Sequence, residues 1–185
     1  MDTFWSKRLR WSGKIREESP MSLLYEGQAT NRELYTKEQR QRRDSTKWTI
    51  VQGILAPVQF FVFLISVILV VRYLATGEGY AAATISIILK TLVLYTIMIT
   101  GAIWEKVVFG QYLLAPGFFW EDVVSFFVIG LHTFYLLCLF KDLMSSQMLM
   151  VLALSAYFIY IVNALQFLLK LRMARLQHVR ELTHA

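Results

Sequence analysis

Cysteine is almost absent from this chain: Cys138 is the one such residue among 185. A lone thiol excludes an intrachain disulfide and any cysteine-based metal site. Inside a long apolar run, as here, it reads as a small packing residue. Charge is also scarce, at 17% of residues against 56% hydrophobic and 15% aromatic, a balance too apolar for an ordinary soluble domain. The motifs of nucleotide, redox and hydrolytic chemistry are missing: there is no P-loop, no glycine-rich dinucleotide fingerprint, no zinc-ligand spacing and no nucleophile elbow. What remains is a reaction needing neither nucleotide nor redox partner, such as hydration or isomerisation, or plain binding. Of the three histidines, only His132 falls inside an apolar run. His178 and His184 lie near the C-terminal end, so a bis-histidine haem within the apolar region is excluded. No hydrophobic stretch lies near the start, and no cleavable signal peptide is expected.

What the chain does have is long apolar runs. About 20 residues span hydrocarbon as a helix, and four runs qualify: roughly 48–74, 80–104, 118–140 and 147–171. The fold class expected is all-α, an integral membrane four-helix bundle with a polar N-terminal extension. Its parts would be an extension over residues 1–46, a bundle over 47–176 and a tail over 177–185. The formal net charge of +6 is unevenly placed. Arg40, Arg42, Arg43 and Lys47 precede the first run, and Lys170, Arg172, Arg175 and Arg180 follow the last. The turns at the other end offer only Arg72 and Lys141. Basic residues flank cytoplasmic ends of membrane helices, so both termini are expected in the cytoplasm, as an even number of spans requires. Trp48, Trp104 and Trp120 fall at that same face. Basic residues hugging the spans suit topology and anionic lipid rather than nucleic acid, which is not expected as a partner.

Before the first run, Phe4, Trp5, Leu9 and Trp11 alternate with Lys7, Arg8 and Arg10, the pattern either of a short helix in the headgroup region or of a disordered tail. Residues Thr36 to Asp44 suit a helix leading into the first span, with Asp44 or Ser45 as its N-cap. Pro57 removes one hydrogen bond and should kink the first span near Leu55.

Each span carries a polar stripe. Gln52, Gln59 and Ser66 recur every seven residues. Thr84, Thr91, Met98 and Glu105 do the same in the second span, beside a stripe with Lys90, about 15 Å along the helix from its start. Glu121, Ser125 and His132 align in the third, and Asn163, Gln166 and Lys170 in the fourth. Polar stripes in membrane helices point inward, so four of them can meet in one interior. Intramembrane ionisable groups mark functional sites, and Glu105, Glu121 and Asp122 sit where the second and third spans meet at a short hinge. Burial and a like-charged neighbour both disfavour the charged form, so such a cluster is suited to holding an acid beside a base. The plainer alternative pairs Glu105 with Lys106 or Lys170 and leaves Asp122 as a helix cap. His132 is either a metal ligand, including to the metal of a tetrapyrrole, or a histidine bonded to a neighbouring helix through a group such as Asn163. Lys90 is either a counter-ion for a carboxylate or a side chain snorkelling to an interface. The aromatic residues (among them Phe60, Phe63, Phe118, Phe126, Tyr157 and Tyr160) suit a large flat ligand, or face lipid.

The stretches Arg43–Pro57, Arg72–Gly79, Met98–Lys106, Phe118–Ser125, Leu131–Thr133 and Tyr160–Leu171 are co-linear and long. Together they resemble the 3-vinyl bacteriochlorophyllide hydratase family of bacteriochlorophyll biosynthesis. The similarity runs from about Leu34 to Leu176, and residues before about Asn31 look like an extension. The resemblance implies a hydro-lyase that adds water to the C3-vinyl group of chlorophyllide a or 3-vinyl bacteriochlorophyllide a, giving a 1-hydroxyethyl group that a separate dehydrogenase later oxidises. It implies no cofactor, since the magnesium belongs to the chlorin substrate. It also implies a bacterial inner, photosynthetic membrane, contact with lipid, and other bacteriochlorophyll-synthesis enzymes as partners.

That chemistry fits the polar residues. Hydration in the Markovnikov sense delivers a proton to the terminal vinyl carbon and leaves positive charge on the inner carbon, where carboxylates stabilise it. Glu105 or Glu121 would be the acid, and its partner or Asp122 the base. His132 is a candidate ligand for the substrate magnesium. Gln59, Asn163 and Gln166 would hold water or ring carbonyls, and Lys90 is a further substrate contact. The anionic propionate would meet Arg42, Arg43, Lys47 or Lys170. The rival readings are a non-catalytic chlorin carrier or assembly protein, and a small transporter built on Lys90 and Glu105.

Overall fold

The computed structural model describes residues 34–184, with side chains to 176 and at 179. The headgroup-region helix considered for Phe4 to Trp11 lies outside the described residues. Five helices follow in order: α1 (Lys37–Ser45), α2 (Lys47–Thr76), α3 (Tyr80–Phe109), α4 (Phe119–Phe140) and α5 (Ser146–His184). No strand occurs among the described residues.

Local chemistry sets the boundaries. Thr36 and Gln39 form a capping box that starts α1, satisfying two backbone donors reciprocally. The N-cap of α2 is Thr46, whose hydroxyl accepts from the Trp48 amide, so Asp44 and Ser45 do not cap this span as expected. Both are otherwise engaged: Asp44 pairs with Arg43 at 2.7 Å, and Ser45 Oγ donates to the Arg42 carbonyl at 3.1 Å. Helix α2 is continuous through Pro57. It ends at Gly77 with φ 76°, and α3 ends at Gly110 with φ 85°, the left-handed cap that glycine adopts without penalty. With no breaker before Gly110, α3 runs five residues past Trp104. Likewise α5 continues past Leu171, since no glycine or proline follows and the apolar spacing persists through Met173 and Leu176.

The helices α2 to α5 run up, down, up and down. Each is long and apolar enough to cross a membrane, the last over Ser146–Leu176. Only 22% to 39% of each apolar stretch is buried inside the bundle, so the remaining faces are left for lipid. Helix α2 packs closely on α3, and α4 on α5. The two hairpins meet more sparsely along α2–α5 and α3–α4, and α1 lies against α3. The inner faces interlock through Val70, Ala83, Ile87, Val128, Tyr135 and Met150. The start of α2, the end of α3, the start of α4 and the latter part of α5 share one end of the bundle, here termed the mouth. A second apolar cluster of Tyr35, Val108, Phe118 and Ala174 closes it, with Trp104, Phe109 and Phe167 packed around. Burial there pushes the Tyr35 phenol up to about 12, against an opposing pull from Arg43.

Candidate active site

The three carboxyl groups are buried at the mouth of the bundle. Glu105 is 5% exposed, Glu121 6% and Asp122 2%, so none of them splays into solvent. Glu105 and Asp122 lie within hydrogen-bonding reach of each other. A deprotonated carboxylate has no donor, so two carboxyl groups side by side can bond to each other only through a shared proton. The segment between α3 and α4 folds back over both groups. The Leu114 amide donates to Asp122 Oδ2 at 2.6 Å, and the Ala115 amide donates to Glu105 Oε2 at 3.3 Å. Leu114 takes a φ of 59°, a left-handed conformation that costs a non-glycine residue about 1 kcal/mol or more. Its bond to Asp122 helps hold it there.

Glu121 is set apart from this pair. Lys170 Nζ lies 3.1 Å from its Oε1, while Oε2 is buried without a hydrogen-bond partner. The plainer pairings of Glu105 with Lys106 or Lys170 do not form: Lys106 donates to the Gly110 carbonyl at 2.7 Å, and Lys170 takes Glu121. Asp122 is no helix cap either. The N-cap of α4 is Phe118, with no side-chain bond, and Asp122 holds the preceding segment instead.

A polar seam leads inward from Glu121 along α4 and α5. Ser125 Oγ donates to the Glu121 carbonyl at 2.8 Å, and Asn163 Nδ2 donates to Ser125 Oγ at 2.8 Å. Asn163 Oδ1, Gln166 Oε1 and both polar atoms of the Gln59 side chain are buried and unpartnered. Phe63 stacks near Tyr160, with ring centroids 4.9 Å apart. Gln59 lies one turn before Phe63, and Asn163 three residues after Tyr160. The antiparallel register of α2 and α5 therefore brings Gln59 and Asn163 to one level.

Deeper still, Lys90 and His132 form a second ionisable site. Lys90 is 0% exposed and His132 1%. Lys90 Nζ lies 2.8 Å from His132 Nε2, and His132 Nδ1 lies 2.7 Å from the Val128 carbonyl. A carbonyl only accepts, so Nδ1 carries the hydrogen and Nε2 presents a lone pair to Lys90. Lys90 Nζ also sits over the Tyr160 ring at 4.0 Å and the Tyr157 ring at 5.2 Å. Lys90 thus neither snorkels nor pairs with a carboxylate. His132 bonds across helices to Lys90 rather than to Asn163, and the ligation of substrate magnesium expected of it meets an imidazole with both nitrogens engaged.

Among the basic residues considered for the propionate, Arg43 is drawn to Asp44 and stacks over Tyr35 at 4.9 Å, and Arg42 and Lys47 are exposed. Two functional features escaped the reading of the sequence. One is the pair of backbone amides at Leu114 and Ala115; the Ala-Pro-Gly that follows marks a tight segment near the acids, which is the signal available. The other is the Tyr157 and Tyr160 cage around Lys90, whose tyrosines looked like general aromatic richness.

The sequence model of a protein family described as 2-vinyl bacteriochlorophyllide hydratase (BCHF) matches residues 35–173. A protein of Cereibacter sphaeroides named 2-vinyl bacteriochlorophyllide hydratase is 68% identical over 148 residues, covering 80% of this chain and 92% of that protein. One of the same name from Rhodobacter capsulatus is 66% identical over 148 residues, covering 80% of this chain and 86% of that protein. No solved structure matches.

Proposed function

Because this chain belongs to the 2-vinyl bacteriochlorophyllide hydratase family, we propose that it adds water to the vinyl group of a magnesium chlorin, and that the buried mouth carboxyls carry the proton transfers. (The vinyl position is numbered 2 or 3 according to ring convention.) The enzyme is a hydro-lyase of bacteriochlorophyll biosynthesis. The observation that carries the mechanism is the burial of Glu105 and Asp122 beneath the Leu114 and Ala115 amides that bond to them.

The proposed steps use that geometry. The protonated member of the pair gives its proton to the terminal vinyl carbon. Positive charge grows on the inner carbon, delocalised into the macrocycle, and the remaining carboxylates stabilise it in a site of low dielectric. Water then attacks the inner carbon. Glu121, whose Oε2 is buried and free of protein partners, accepts the proton that water loses. Return of that proton to the Glu105–Asp122 pair completes the cycle, with one water consumed and no cofactor required of the protein. The unpartnered oxygens of Gln166 and Asn163 are suited to hold the attacking water next to Glu121.

The basic residues flanking the mouth support a reading in which it faces, with both termini, the cytoplasmic side of the bacterial inner membrane. A macrocycle dissolved in lipid would enter where the two hairpins meet most sparsely.

The test is incubation of the purified protein with chlorophyllide a in water labelled with heavy oxygen. A blue-shifted hydroxyethyl product carrying one labelled oxygen is expected. Bound pigment with no product would favour the non-catalytic chlorin carrier.

A further inference from the structure

The mechanism above leaves the Lys90–His132 pair unused. A cation-forming side chain at 0% exposure in the middle of an apolar bundle is costly unless a partner is supplied. Within the protein that partner is incomplete. Lys90 has three donor hydrogens, and one is spent on the His132 lone pair at 2.8 Å. No carboxylate forms an ion pair with Lys90 among the described residues; the remaining contacts are the faces of Tyr157 and Tyr160. The Val128 carbonyl fixes the His132 tautomer, so the imidazole aims Lys90 rather than competing with it as a donor. This is a held hydrogen-bond donor with unused capacity, lined by aromatic rings.

Its position relative to the mouth gives the capacity a use. Asp122 and His132 lie ten residues apart on α4, a rise of about 15 Å, which is the scale of a tetrapyrrole held at both edges. The mouth gathers three carboxyl groups against Lys170, and repels a negatively charged or acceptor-rich edge. The midplane offers the opposite polarity. A chlorin whose vinyl faces the mouth turns its opposite edge toward Lys90. On a bacteriochlorophyllide that edge carries the ring ketone and the propionate carboxylate.

Building on the proposed hydratase reading, we infer that Lys90, aimed by His132, is the anchoring donor for an oxygen acceptor on the macrocycle edge opposite the vinyl group, and so sets which edge reaches the carboxyls. Lys90 and His132 are positioning residues here; neither touches the reacting carbons. The propionate then has a buried alternative to the basic residues at the surface.

The test separates binding from turnover by using the 3-ethyl analogue of chlorophyllide a, which has no double bond to hydrate, together with its methyl ester. The protein is the full chain in lipid nanodiscs. In the wild type, either the ketone stretching band in resonance Raman falls on binding, which identifies the ketone as acceptor, or the free acid binds tighter than its ester, which identifies the carboxylate. Lys90→Met should abolish that signature and weaken binding roughly ten- to hundredfold, while Lys90→Gln should retain part of it. Replacing a buried charge by an apolar side chain of similar volume is often neutral or stabilising, so the variants should fold. An unshifted ketone together with equal binding of acid and ester in the wild type would overturn the inference, as would a signature that persists in Lys90→Met. Failure of the hydratase reading looks different: the analogue would still show the Lys90-dependent signature, but chlorophyllide a would give no hydrated product.

Discussion

The mouth and the midplane of this bundle both bury ionisable groups, yet they do so by different means. At the mouth, Glu121 pairs with Lys170, while Asp122 and Glu105 each accept a backbone amide. The proposed mechanism uses these groups as acid and base. At the midplane, one lysine meets one histidine whose tautomer is fixed by a main-chain carbonyl, and two tyrosine rings complete the surroundings. There the fixed tautomer directs one Lys90 hydrogen at His132. On the proposed reading, the first arrangement suits proton transfer and the second suits holding a ligand edge in place.

That contrast can be broken most sharply at Asp122. Asp122→Asn keeps the shape and an oxygen for the Leu114 amide, but removes the shared proton. Turnover of chlorophyllide a, followed by the blue shift of the product, should fall by about 10²- to 10⁴-fold with pigment binding retained. Glu121→Gln should likewise stop product formation while leaving binding intact. If Asn at 122 or Gln at 121 turns over normally, the mouth is not where the chemistry occurs. At the midplane, Lys90→Met should instead raise KM about tenfold or more, with a smaller effect on kcat. A loss confined to kcat would move Lys90 into the chemistry and erase the distinction.

Two smaller effects sharpen the picture of the mouth as a packed structure. A Cβ on Gly117 would lie 3.2 Å from Leu34 Cδ1 and 3.4 Å from the Leu34 carbonyl oxygen. Gly117→Ala should therefore push on the segment that carries the two amides and cost about 1 kcal/mol, visible in thermal unfolding. Tyr35 provides the smallest effect and a pH dependence. Its phenol is raised from the ordinary value of 10 to about 12 by burial, so above pH 10 the unfolded chain ionises while the folded one does not. The stability contribution is complete below pH 10 and declines as pH rises toward 12. Tyr35→Phe should lose less stability than the wild type across that window in denaturant titrations.

Periodicity made much of this visible in the sequence. Twenty-residue apolar runs gave the four spans; sevenfold spacing placed Gln59 and Ser66 inward, and the eleven residues (close to three turns) from Glu121 through Ser125 to His132 placed those three inward, where they lie. Helix-to-helix pairing was less legible. The sequence offered Lys90 a carboxylate partner or an interface to snorkel to, and the structure provides His132 instead, because the α3–α4 register that opposes the two depends on packing rather than local pattern. The amides of Leu114 and Ala115 were invisible for another reason: every residue has such groups, and only the fold of the 110–118 segment aims these two at acids. The cap of α2 moved to Thr46 because Arg43 and the Arg42 carbonyl claim Asp44 and Ser45 first.

The most direct test of the division between mouth and midplane is single turnover of chlorophyllide a already bound to Asp122→Asn. Since pigment is preloaded, binding cannot limit the result. The absorption band of the vinyl pigment should persist for many wild-type turnover times. Conversion to the hydroxyethyl form at the wild-type rate would contradict it.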